Sequence, residues 1–166
     1  MTGVTPLRAV VSGATGLVGR ALLQRLEAPV VLTRSPARAA TALPGVVARR
    51  WDPEAEPAPA AALAGADVVF HLAGEPIAAG RWTAARRRRI RDSRVLGTRH
   101  LVAGLAALER RPAVLVSASA VGYYGDRGDE LLDERSAPGS GFLAEVCVEW
   151  EAAALGAAQL GIRVVC

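Results

Sequence analysis

The first stretch built to receive a ligand is "VVSGATGLVGRAL", residues 10–22. Glycines recur at positions 13, 16 and 19, between a short apolar run and a stretch with helical spacing. Gly13-x-x-Gly16-x-x-Gly19 differs from the commoner G-x-G-x-x-G. Its glycines suit the same three purposes: a tight turn, close approach of backbone to a diphosphate, and close packing of helix on strand. Amides from Thr15 through Gly16, Leu17 and Val18 to Gly19 would face the phosphates, helped by the helix dipole. A glycine-rich turn with no ligand is the alternative. The position of the loop between a first strand and a first helix favours a dinucleotide.

An acidic side chain about 20 residues past the first glycine would accept the ribose hydroxyls of NAD. This chain has Thr33, Arg34 and Ser35 there, and no carboxylate close by. A guanidinium pairs well with a ribose 2′-phosphate. Arg34, aided by Arg38 and the Thr33 and Ser35 hydroxyls, therefore favours NADP(H) over NAD(H). A solvated arginine after a strand is the plainer alternative.

Positioning these residues takes an ordered set of elements. "RAVVS" (8–12) and "PVVLTR" (29–34) read as buried strands, and "VVARRW" (46–51), "ADVVFHLAG" (66–74), "AVLVSAS" (113–119) and "IRVVC" (162–166) as four further strands. Helical spacing covers Thr15 or Gly16 to Glu27, Thr83 to Arg110 and Phe142 to Leu160. A helix over 35–43 has Ser35 as N-cap and Pro36 at its first position. The Pro/Ala-rich connection "PEAEPAPAAALAG" ends in a short helix, and a polar, Gly-rich loop crosses 122–141. Strand and helix alternate throughout, which predicts a single α/β domain: a doubly wound parallel sheet of the Rossmann type, helices on both faces. No internal repeat or interdomain linker interrupts it.

Composition narrows the chemistry. The 166 residues are 51% hydrophobic, which excludes a disordered tail or a disulfide scaffold. The net charge is +4, and every basic side chain apart from the two histidines is an arginine. The absence of lysine and asparagine removes both types from any active site. Cys147 and Cys166 lie far apart without metal-ligand spacing, so no metal site is expected and both read as thiols in a reducing compartment. No apolar run approaches the roughly 20 residues that span a bilayer. The opening "MTGVTPLR" lacks the apolar stretch of a signal peptide. A soluble, cytoplasmic protein without a membrane partner is the expectation.

Eight arginines fall between residues 81 and 99. A basic helical stripe can bind nucleic acid through phosphates, but no groove-reading motif or interleaved aromatic surface accompanies this one. Ile90, Gly97, Leu101, Leu105 and Leu108 share one face, so the helix should dock on the sheet with its arginines outward and solvated. Nucleic acid is therefore disfavoured as a partner, and an oligomer contact through this helix stays open.

Taken in order, "SGATGLVGRAL", "LTRSP", "HLAGEPIA", "RWTAARRRRIRDSRVLGTRHLV", "VLVSASAVGYYGDRGDE" and "FLAEVCVEWE" resemble the extended short-chain dehydrogenase/reductase superfamily. Within it, the chain is most similar to the atypical branch of epimerase family proteins, related to the NAD(P)-dependent epimerase/dehydratases. The resemblance implies that Leu72, Ala73 and Gly74 form a turn beside the cofactor and that Ser119 bonds a substrate oxygen. It implies that Arg94 reaches the cofactor from a position where relatives often carry asparagine, and that Trp51 and Asp52 follow a strand whose exit covers the adenine. Structural roles are the alternative for Ser119, Arg94 and Asp52. Relatives continue into a smaller C-terminal substrate lobe, so the expectation is a Rossmann domain truncated before that lobe, with most of the substrate pocket missing.

The superfamily mechanism also needs a Tyr-x-x-x-Lys pair, with tyrosine as acid or base and lysine lowering its pKa and holding the nicotinamide ribose. The matching positions here are Phe142 and Val146. Tyr123 and Tyr124 are the only phenols. Tyr124 joins Ser119 as a catalytic candidate, with packing or substrate contact as the alternative. Glu75 is a further acid/base candidate at the cleft edge, and His71 reads as a core residue hydrogen-bonded to backbone. The resemblance thus implies an NADP(H)-binding domain of an epimerase-like oxidoreductase, acting at a hydroxyl or carbonyl carbon of an unknown small molecule. A dinucleotide-binding or sensing protein without turnover is the alternative.

Overall fold

A computed structural model describes residues 6–166; the opening MTGVT, and with it most of the leader expectation, lies outside the described residues. Six strands form one parallel sheet: β1 (Ala9–Ser12), β2 (Val30–Thr33), β3 (Val47–Arg50), β4 (Val68–His71), β5 (Val114–Ser117) and β6 (Arg163–Val165). Their order is β3-β2-β1-β4-β5-β6. Five helices connect them: α1 (Leu17–Leu23), α2 (Pro36–Ala42), α3 (Ala60–Leu63), α4 (Ala84–Ala106) and α5 (Phe142–Leu155).

The doubly wound arrangement follows from β1. All four of its residues are buried, and side chains alternate across a strand. Val10 faces a core built with Trp51, Leu101, Leu105 and Leu115, while Val11 faces a second core with Val31, Ala39 and Leu43. A central strand buried on both faces has no room for a polar alternation, hence its apolar run. Ser12 ends β1 beside Leu32 of β2 and His71 of β4.

Some boundaries differ from those expected. α1 stops at Leu23 instead of Glu27. Arg25 and Leu26 donate to carbonyls three residues back, at 2.9 and 3.3 Å, and Ala28 takes a φ of 42° to turn the chain into β2. The tightened turn replaces the last helical turn because β2 lies immediately beyond. Ser35 precedes α2, but its hydroxyl makes no capping bond. α4 is capped by Thr83, whose Oγ1 accepts the Arg86 amide at 3.2 Å.

α4 rides close to the connection after β3. A Cβ at Gly104 would stand 2.3 Å from the Ala58 carbonyl oxygen. Ile90, Leu101 and Leu105 are fully buried on its inner face. The arginines do not all point outward, however. Arg86 is buried and Arg94 partly so, because each hydrogen-bonds backbone carbonyls in the segment after β4. Arg91 pairs with Glu149 of α5 at 2.5 Å.

Between β5 and α5, a 3-10 turn (Val121–Tyr124) opens a long loop. The loop is pinched at its base: the Gly139 amide donates to the Tyr123 carbonyl at 2.9 Å. Gly139 also packs directly on the Tyr124 carbonyl, where a Cβ would be 1.9 Å from the oxygen. Among the described residues, no helix is long and apolar enough to cross a membrane.

Candidate functional site

At the carboxyl ends of β1, β2 and β4 lies a cleft of about 550 Å³. β1 is the point where the strand order reverses, with β2 on one side and β4 on the other. Ligands of open α/β sheets bind at such switch points.

Gly13, Ala14 and Thr15 form the middle of this cleft, whereas Gly16, Leu17, Val18 and Gly19, expected beside the phosphates, do not line it because the chain turns away into α1 after Thr15. Gly13 has a φ of 72°, a conformation that favours glycine, and a Cβ there would stand 2.4 Å from the Leu72 carbonyl carbon. Gly16 donates its amide to the Gly13 carbonyl at 3.0 Å. Gly19 is buried against the same loop, whereas Leu17 and Val18 are exposed. Thr15 lines the cleft, and its carbonyl accepts from Arg20 Nε at 3.0 Å.

At the end of β2, Thr33, Arg34, Ser35 and Arg38 line one arm of the cleft. Thr33 Oγ1 accepts the Ser35 amide at 3.2 Å. Arg34 and Arg38 are exposed, and neither forms an ion pair within the described residues. Trp51 is buried, donates its indole N–H to the Glu56 carbonyl at 3.0 Å and contributes to the wall, as do Pro53 and Glu54. Asp52 does not line the cleft; its carboxylate accepts the Glu54 amide at 3.2 Å and so shapes the turn.

The opposite arm is made by Ala73, Gly74, Glu75 and Pro76, with Ser93 of α4 beneath. Leu72 leads into this turn but does not line the cleft. Arg94 braces the turn from behind. Its Nη1 donates to the Glu75 carbonyl at 3.0 Å, and its guanidinium stacks 5.2 Å above the Trp150 ring. Burial lowers the Arg94 pKa, against the opposing pull of Cys147 and Glu75.

Ser119 and Tyr124 stand apart from the cleft lining. The Ser119 hydroxyl donates to the Glu151 carboxylate on α5. The Tyr124 hydroxyl donates to the Asp133 carbonyl at 2.9 Å, and its ring meets Tyr123 edge-on. Phe142 meets Trp82 edge-on, with centroids 5.9 Å apart, under the Arg87 guanidinium. Val146 is buried. His71 is fully buried, but its partners are not the backbone. Nδ1 lies 2.6 Å from Ser12 Oγ, and Nε2 lies 3.0 Å from Thr98 Oγ1. Burial lowers its pKa to about 4, so the imidazole is neutral at ordinary pH.

Sequence reasoning missed Arg20, Pro53, Glu54 and Ser93 as cleft residues, and Glu151 as the partner of Ser119. Arg20 had a signal, since it directly follows Gly19 at the helix start. Ser93 and Glu151 had none, because only the packing of α4 and α5 brings them to these places.

The family model for the NAD dependent epimerase/dehydratase family matches residues 9–166. The chain belongs to this family. An epimerase family protein of Mycobacterium bovis is 39% identical over 160 residues, covering 93% of this chain and 50% of the relative. Among solved structures, the nucleoside-diphosphate sugar epimerase of Corynebacterium glutamicum matches with a TM-score of 0.75 and 42% identity, over 96% of this chain and 33% of its own. The human epimerase family protein SDR39U1, solved with NADPH, matches with a TM-score of 0.72 and 28% identity, over 89% of this chain and 48% of its own. The chain spans about half the length of the curated epimerase family relatives it matches. Among the described residues, no three or more His, Cys, Asp or Glu side chains are grouped so as to hold a metal ion.

Proposed function

We propose that this chain is the NADP(H)-binding part of an epimerase-like oxidoreductase acting on a small hydroxyl or carbonyl compound. One observation carries the choice of cofactor: Arg34 and Arg38 line the cleft at the end of β2, where no carboxylate stands among residues 33–35. A third guanidinium, Arg20, lies beside the glycine loop. Three cations around a cleft suit a ligand with a diphosphate and a 2′-phosphate. The NADPH in the human relative supports the same reading.

In this assignment Gly13, Ala14 and Thr15 approach the diphosphate, with Gly16 and Gly19 shaping the loop, and Thr33, Arg34 and Ser35 hold the 2′-phosphate. Ala73 and Gly74 border the opposite half, and Arg94 keeps their turn in place. Bound, the dinucleotide would supply a hydride donor or acceptor. Ser119, oriented by Glu151, would hold the substrate oxygen. Cys147 and Cys166 are free thiols, which suits a reducing cytoplasm.

Calorimetric titration with NADPH and NADH tests the assignment. Arg34→Ala should weaken NADPH at least about tenfold and leave NADH nearly unchanged, as expected for loss of a charge-assisted contact. Equal losses would overturn the 2′-phosphate role, and no binding of either nucleotide by the unmodified chain would overturn the function.

A second reading, binding without turnover, is favoured by the state of α5. Phe142 and Val146 offer neither phenol nor amine, and the Tyr124 hydroxyl is committed to Asp133. Tight NADPH binding without absorbance loss across a panel of carbonyl compounds, in a protein of the relatives' full length, would favour it.

A further inference from the structure

The arm of the cleft beyond the glycine loop contains one carboxylate, Glu75, and it is held on three sides. Its amide donates to Ser93 Oγ at 3.0 Å, and its carbonyl accepts from Arg94 at 3.0 Å. Its Oε1 accepts from Arg86 Nη1 at 3.1 Å and lies 4.0 Å from Arg89 Nε. Arg86 also donates to the Pro76 carbonyl. Among the described residues, Oε2 has no hydrogen-bond partner. The Glu75 side chain is 26% exposed and borders the cleft.

A fixed carboxylate in a cleft for a polyanion calls for a reason. Left alone it would repel the phosphates; paired with Arg86 it is locally neutral while one oxygen remains open as an acceptor. The ligand group that suits such an oxygen is a hydroxyl. If the adenosine half occupies the β2 arm, the other half of a dinucleotide spanning the switch point must pass the Ala73–Pro76 arm, and that half carries a ribose diol. Phe142 and Val146 of α5 carry no polar group that could bond this diol.

We infer that Glu75 binds the hydroxyls of the ribose on the nicotinamide side, with Arg86, Ser93 and Arg94 as positioning residues that preset it. The inference rests on the dinucleotide assignment above. It gives Glu75 a binding role in place of acid/base work.

Calorimetry separates the two ideas. NADPH and 2′,5′-ADP, which lacks the nicotinamide half, are titrated into the unmodified chain and into Glu75→Ala. A lost hydrogen bond to a charged acceptor should weaken NADPH about ten- to a hundredfold, with 2′,5′-ADP unchanged. Equal weakening of both ligands, or of neither, overturns the inference while leaving dinucleotide binding intact. Failure of the unmodified chain to bind either ligand removes the dinucleotide assignment and this inference with it. Should Glu75→Ala not fold, the unmodified chain is titrated with NADPH deoxygenated at the 2′ position of the nicotinamide ribose, and then at the 3′ position. Loss of about tenfold or more with either analogue supports the inference; affinities equal to that of NADPH for both overturn it.

Discussion

Gly19 packs so tightly on the Gly13 carbonyl that a Cβ at position 19 would stand 2.5 Å from its oxygen and 2.7 Å from Ala14 Cα. Both neighbours are backbone atoms, which cannot swing aside as a side-chain tip can. Glycine at position 19 is therefore required by the packing of α1 on the loop after β1 before any ligand requires it.

Gly19→Ala should accordingly destabilise the fold by about 1–3 kcal/mol, the usual range for overpacking. Urea unfolding measures it. A variant as stable as the parent would show that the loop yields, and would weaken the case that its shape is imposed.

His71 makes stability depend on pH. Its folded pKa of about 4 lies below the ordinary 6.5, because burial disfavours the charged imidazole. The unfolded chain therefore binds the extra proton first. The His71 contribution is complete above about pH 6.5 and is lost as pH falls towards 4, a total of roughly 3 kcal/mol. Urea unfolding from pH 8 to 4.5 should show a steeper acid loss for the parent than for His71→Gln, which has no proton to gain; parallel curves would sink this assignment.

Arg86 is held by Glu75 in a mostly buried pair, with side chains 10% and 26% exposed. Removing one partner of a buried pair leaves the other charge stranded. Arg86→Met should cost about 2 kcal/mol, less than a fully buried pair because Glu75 keeps some solvent. Adding Glu75→Gln should recover part of the loss, and a strictly additive double variant would show that the two side chains do not couple.

The basic helix should not retain nucleic acid. Arg86 and Arg94 are spent on carbonyls after β4, and Arg91 on Glu149, so the run is not a continuous free stripe. A random duplex should fail to bind at physiological salt, judged by gel shift. Retention that falls steeply with salt would restore a phosphate-binding role.

The sheet was legible because its inner strands are short runs led by valine, apolar on both faces as a central strand must be, whereas the edge strands β3 and β6 carry arginines and are largely exposed. The glycine loop was legible because its spacing sits between such a strand and a helix. Arginine orientation was not legible: four consecutive arginines from 86 to 89 look alike in sequence, and only the turn at Glu75 and Pro76 draws Arg86 inward. The partners of His71 were equally hidden. Ser12 and Thr98 are 59 and 27 residues away from it, and local pattern says nothing about which hydroxyls a crossover will deliver. Glu151 escaped notice for the same reason, since its meeting with Ser119 depends on how α5 returns after the long loop.

That loop's pinched base has an evolutionary side. With Gly139 seated on Tyr124, the residues between them hang from a fastened neck, and the parallel sheet does not depend on their length. Lineages of this family could lengthen, shorten or rewrite that excursion, as one changes a pendant without touching the clasp. A change in that excursion would then leave the frame that carries the glycine loop as it is.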